Sequence, residues 1–88
     1  MNQYRIKKGF IVQKMSKKYV LFDPETSTLH TINETGAFIF SSLKKKMTYQ
    51  DISQKIATRY KIALEKAQQD TSTFIDLLKK KGIISTSK

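Results

Sequence analysis

The chain has 88 residues, with 17 Lys and Arg against 7 Asp and Glu, which gives a formal net charge of +10 and a pI near 10.0. That length allows one small domain whose thin core buries about 60–65% of the unfolded surface, with little room for a deep enzyme pocket. The chain has no Cys and one His, which excludes disulfides, Cys-based zinc sites, iron–sulfur clusters, thiol nucleophiles and multi-His metal sites.

Residues 10–33 carry a strand-like period. Phe10 to Met15 is rich in apolar and β-branched residues and predicts a first strand. Ser16-Lys17 predicts a tight turn. Residues 18–22 predict a second strand, with Tyr19 and Leu21 on one face and Val20 and Phe22 on the other. Asp23-Pro24-Glu25-Thr26-Ser27 has turn chemistry: Pro24 presets φ, and the Asp23 carboxylate can accept from the backbone ahead of it. Residues 28–32 return as a third strand. The short connections predict an antiparallel meander.

From Asn33 the period becomes helical. Asn33 suits an N-cap and Glu34 the positive end of the helix dipole. Ala37, Phe40 and Leu43 form an apolar face widened by Phe38 and Ile39, and Lys44-Lys45-Lys46 closes the helix. Thr48 to Asp51 resembles a capping box with Asp51 in the usual Glu slot. It opens a second helix bearing Ile52, Ile56 and Tyr60. After a connector at 62–64, a third helix is predicted over about 65–81, with Ala67, Thr71, Phe74 and Leu78 on its core side and Leu77 flanking them. Gly82 falls where an αL cap is expected, and Ile83-Ile84 can fold back on the last turn. Beyond Ile84 fraying is expected. The expected architecture is a single α+β domain, winged-helix-like, with a three-stranded antiparallel sheet followed by three helices and an ordered core over about 4–84.

Phe10-Ile11-Val12 is the only early apolar run, far short of the roughly 7–15 residues in a signal-peptide core. Nothing approaches the ~20 apolar residues of a membrane span. A soluble, cytoplasmic protein without a membrane partner is expected.

The run Tyr19-Val20-Leu21-Phe22-Asp23-Pro24-Glu25-Thr26, followed by Leu29-His30-Thr31-Ile32-Asn33-Glu34-Thr35-Gly36-Ala37, resembles the PqqD-like family. So does the later pattern of Asp70, Phe74, Leu77, Gly82 and Ile83. The resemblance covers roughly residues 4–84, and the block from Leu29 to Gly36 is its most specific piece. It implies a winged-helix-like peptide-recognition element of a pathway for ribosomally made, modified peptides; stand-alone members of the family serve lasso-peptide pathways. It also implies that the chain holds the leader of a precursor peptide for a separate maturation enzyme, whether protease, cyclase or radical enzyme, and is not itself an enzyme. The sequence departs from the family pattern at Ala63 and Leu64, where a Ser or Asp cap and a Pro are common.

In the family the leader adds as a strand to the third strand, beside the third helix. Strand addition needs an edge with free backbone N–H and C=O groups. Thr28, Leu29, His30, Thr31 and Ile32 contain no Pro and no charge apart from titratable His30, so nothing in them blocks an edge. A central strand is equally compatible with their composition. On the third helix, a stripe of Lys66, Asp70, Thr73, Leu77 and Lys80 or Lys81 lies beside the core face and supplies the second wall. It mixes apolar contact with basic ends; an ordinary solvated face would look similar. Phe74 and Leu77 suit the core more readily than a peptide, although a groove floor could use both.

His30 has no second His and no Cys, so a strand or peptide-contact role fits it better than metal binding or catalysis. Asp51 is accounted for as a cap, and Asp76 falls on the far side of its helix from Asp70. No phosphate loop, nucleophile motif or metal cluster is present, and no cofactor is expected. The alternative is a winged helix-turn-helix that binds DNA, favoured by the charge and by the Lys44–Lys46 and Lys79–Lys81 clusters. Against it, the would-be reader helix carries Glu65 and Asp70, and Arg5 and Arg59 are the only Arg residues in the chain. The charge excess is therefore expected to help capture an acidic peptide, and nucleic acid is the less favoured partner.

Overall fold

The computed structural model describes residues 3–16 and 18–87. Its elements run β1 (Gln3–Ile6), β2 (Ile11–Met15), β3 (Lys18–Asp23), β4 (Thr28–Ile32), α1 (Glu34–Lys44), α2 (Tyr49–Tyr60), α3 (Leu64–Lys80) and β5 (Ile84–Ser87). The three expected strands are β2, β3 and β4, paired antiparallel in that order, and the three expected helices follow them. The fold is thus α+β as anticipated.

Two strands were not foreseen. β1 and β5 form a separate antiparallel pair in which Tyr4 lies opposite Thr86 and Ile6 opposite Ile84. The expected fraying beyond Ile84 is therefore corrected: the N-terminal segment supplies a backbone partner, and Lys7 N–H adds a bond of 2.8 Å to the Ile83 carbonyl. Neither strand is apolar enough to be visible from its own sequence.

The turns form for local reasons. Asp23 Oδ1 accepts from the N–H of Glu25 at 2.9 Å and of Thr26 at 3.4 Å. Partial desolvation works against ionisation of Asp23, but these hydrogen bonds, the Thr26 hydroxyl and nearby His30 outweigh it and hold the carboxyl below its ordinary value. Met15 pairs with Lys18, and Ser16 takes a φ of 58°; Lys17, the other half of the expected Ser16-Lys17 turn, lies outside the described residues. Asn33 caps α1, its side chain accepting from Gly36 N–H at 2.7 Å. Thr48 caps α2 by accepting from Asp51 N–H at 3.2 Å. At α3 the N-cap is Ala63 with no side-chain hydrogen bond, in keeping with the missing cap residue.

The core lies between β3 and the helices. Leu21 reaches it from the sheet, and Phe10, Ile39, Phe40, Leu43, Ile52, Ile56, Ala67, Ile75, Leu78, Ile83 and Ile84 complete it. Burying each large aliphatic or aromatic side chain contributes about 1.5–3 kcal/mol. Buried Ser42, Ser53 and Thr71 each donate to the carbonyl four residues earlier at 2.8 Å, so none is left unsatisfied. Tyr49 Oη ties α2 to α3 by donating to the Gln68 carbonyl at 3.0 Å, and Tyr60 Oη ties α2 to α1 by donating to Glu34 Oε2 at 2.9 Å.

One helix-face assignment needs correction. The third buried position of α3 is Ile75, not Phe74. Thr71, Ile75 and Leu78 follow the i, i+4, i+7 row, whereas Phe74 is rotated towards the sheet side and is only half-buried. Leu77 is 46% exposed. Ile75→Ala should therefore lower unfolding free energy by about 2–5 kcal/mol, and Leu77→Ala should change it by less than about 0.5 kcal/mol; denaturant titration of both variants checks this. The turn at Asp23 predicts an acid effect. Because the folded pKa lies below the ordinary 3.8, its contribution is complete above that value and lost as pH falls through the folded one. The stability gap between wild type and Asp23→Ala should narrow correspondingly between pH 5 and pH 2.

Candidate peptide-binding groove

β4 is an edge strand. It pairs with β3 on one side, and among the described residues no strand pairs with the other. Its register with β3 places His30 opposite buried Leu21 and Ile32 opposite Tyr19, on the helix side of the sheet. Leu29, opposite Phe22, and Thr31, opposite Val20, point away from it, and Leu29 is 62% exposed.

α3 runs beside this edge, and two connected hollows separate them. The lower one, about 340 Å³, is lined by Leu29, His30, Thr31 and Ile32 of β4, by Phe74, Leu77 and Lys81 of α3 and its end, and by Leu21, Leu78 and Ile83. The upper one, about 400 Å³, lies between α3 and the start of α1, lined by Lys66, Gln69, Asp70, Thr73, Phe74 and Leu77 on one side and Asn33, Thr35, Gly36 and Ile39 on the other. Phe74 and Leu77 belong to both, so the two form one groove.

The structure thus gathers almost all the residues singled out in the sequence. Thr28 is the exception among the strand residues: it does not line the groove, and its hydroxyl lies 2.6 Å from Thr26 Oγ1 and 3.3 Å from His30 Nε2. Lys66 and Asp70 form an i, i+4 ion pair at 3.1 Å and so largely neutralise each other within the groove. Lys81, not Lys80, lines it. Asp70 and Asp76 are separated as expected: Asp76 lies near Tyr4, whose pKa is raised mainly by burial and then by the Asp76 and Tyr49 charges. The start of α1 was the missed wall. Its signal was present, since a helix capped by Asn33 directly after β4 must begin at that strand's end.

Gly36 fixes how closely the walls approach. A Cβ there would fall 2.7 Å from Phe74 Cε1 and 3.1 Å from Asn33 Oδ1, so the Phe74 ring occupies the space a side chain would take. The groove has a strand's hydrogen-bonding edge, an apolar floor and few charges. It suits an extended peptide rather than a reacting small molecule.

A free edge strand flanked by a helix on a small α+β scaffold is a geometry that can accept an extended peptide by strand addition. A family model described as coenzyme PQQ synthesis protein D (PqqD) matches residues 18–84, and the chain belongs to that family. Two solved structures share the fold. "Lasso peptide synthetase B1 complexed with the leader peptide" is 22% identical with a TM-score of 0.81, covering 94% of this chain and 98% of that one. "TbiB1 in Complex with the TbiA(beta) Leader Peptide" is 20% identical with a TM-score of 0.78, covering 92% and 94%. No match was found among curated proteins.

Gly36→Ala should force Phe74 out of its place, because the helix-propensity gain of at most about 1 kcal/mol is smaller than the roughly 1–3 kcal/mol of overpacking. A lower melting temperature is expected, with recovery in Gly36→Ala/Phe74→Leu, where the ring is gone; thermal melts of the single and double variants check it.

Proposed function

We propose that the chain binds the leader segment of a ribosomally made precursor peptide and delivers it to a separate maturation enzyme, without itself making or breaking a bond. The observation that carries this reading is the unpaired edge of β4 lying beside the α3 groove. Family membership and the leader-peptide complexes formed by two proteins of the same fold support it.

The chemistry follows from the geometry. An extended leader laid along β4 pairs its backbone with the outward N–H and C=O groups, a sequence-tolerant source of affinity. Its side chains alternate. One set enters the groove over Phe74, Leu78 and Ile83, where apolar side chains fit, and Lys81 at the rim favours a carboxylate. The other set lies on the outer face beside Leu29 and Thr31. Holding the leader raises the effective concentration of the attached core peptide at an enzyme that also contacts this chain. The rival reading, DNA binding through α3, meets Glu65 in that helix's first turn, which repels phosphate, and finds Lys66 already paired with Asp70.

Titration with the leader of the precursor encoded beside this gene is expected to give saturable one-to-one binding at about micromolar affinity or tighter. No saturation at concentrations far above micromolar would overturn the reading. Leu29 and Ile32 differ in strand parity, so in one of them the N–H points outward. Leu29→Pro and Ile32→Pro are therefore expected to differ: the variant that keeps the wild-type circular dichroism loses leader binding, because only its outward donor is removed.

A further inference from the structure

The charge excess does not gather at the groove. There Lys66 is paired with Asp70, and Lys81 is the remaining lining cation. Cations concentrate instead at the other end of α1. A hollow of about 400 Å³ between the β1–β2 connection and the end of α1 is rimmed by Arg5, Lys7, Lys8, Lys44 and Lys46, and no carboxylate lines it. Its floor is apolar, formed by buried Phe10 and Leu43. One nearby acid, Glu25, pairs with Lys7 at 2.5 Å, and the other, Asp76, lies by Tyr4. Four rim cations are left without an ion-pair partner among the described residues.

The frame around the hollow is braced. Gly9 has a φ of +91°, and a Cβ there would fall 2.7 Å from Pro24 Cγ, so the connection that carries Lys7 and Lys8 rests on the β3–β4 turn. Lys46 takes a left-handed φ of 61° just beyond the α1 end, where Lys46 N–H bonds the Leu43 carbonyl at 3.0 Å. Neutralising the helix C-terminus calls for one or two cations; five converging from two separate segments exceed that need, and their mutual repulsion favours a bound anion.

We propose that this hollow is a second docking site, taking a carboxylate-rich segment of a partner protein while the leader groove is occupied. The two sites share no lining residue: along α1 the groove lining ends at Ile39 and the hollow begins at Leu43, about one helical turn further on. Identifying that partner as the maturation enzyme rests on the function proposed above; recognition of an acidic segment does not. A polypeptide fits better than nucleic acid. The cations surround a concavity rather than a helix that could enter a groove of duplex DNA. The ring of Tyr4, which lines the hollow, has Lys79 Nζ 5.5 Å from its centroid, on a face a base would need for stacking.

The test is titration of the full chain with a fluorescein-labelled hexaglutamate peptide at low salt, with and without saturating leader. Saturable binding that persists with leader bound is expected. Arg5→Gln/Lys8→Gln/Lys46→Asn (Asn tolerating the left-handed backbone at position 46) should weaken it about tenfold. The control Lys18→Gln/Lys55→Gln/Lys61→Asn, which loses the same charge elsewhere, should leave it within about twofold, and both should bind leader like wild type. Equal weakening in the two triple variants would reduce the effect to net charge and overturn the proposal. Competition by leader, or tighter capture of duplex DNA through the same three residues, would overturn it as well. Failure of leader binding with hexaglutamate binding intact would sink the leader reading and leave the acidic-segment site standing.

Discussion

The close approach of α1 to α3 at Gly36 and Phe74 is the constraint on which the rest of the structure depends. Asn33 ends β4 and caps α1 in one residue, so the helix must leave from the strand's own end. The missing Cβ at Gly36 lets the Phe74 ring seat against that first turn. α3 is thereby held alongside β4 without covering its hydrogen-bonding edge. A side chain at position 36 would take the space the Phe74 ring fills.

The remaining packing serves this arrangement. Ala67, Thr71 and Ile75 anchor α3 from the opposite side, and Tyr49 fixes its first half to α2. Because those contacts lie away from β4, the groove face of α3 is free to expose Leu77 and half-expose Phe74. Stability and recognition are divided between two faces of one helix. That division explains why a thin core can coexist with an apolar surface suited to a peptide.

Charge follows a different geography from hydrophobicity. Within the groove the ion pair of Lys66 and Asp70 is exposed, and such a pair is worth at most about 1 kcal/mol. The cations that give the chain its character meet at the far end of α1, brought together from residues nearly forty positions apart in sequence. The groove lining itself carries two cations, Lys66, which is paired with Asp70, and Lys81, beside a strand edge and an apolar floor.

Much of the architecture was legible from sequence because it is locally encoded. The boundaries of β4 and the caps at Asn33 and Thr48 follow from period and from hydrogen bonds spanning three residues. The Asp23 turn is equally local. The block from Leu29 to Gly36 pointed to the family for the same reason, being one continuous stretch. What sequence could not determine depends on partners distant along the chain. β1 and β5 are strands only because each supplies the other's backbone bonds. Whether β4 lay at an edge was undecidable from its composition, since strand order is a property of the assembled sheet. The choice of Ile75 over Phe74 for the core turned on Gly36, 38 residues before Phe74, which offers the ring a place no helical period can specify. The sequence by itself determined three strands and three helices and their order; only the tertiary structure decided that the two ends of the chain pair as strands, which edge stays open, which face of α3 borders it and where the positive charge converges, because each is set by contacts between segments that the chain must first fold to bring together.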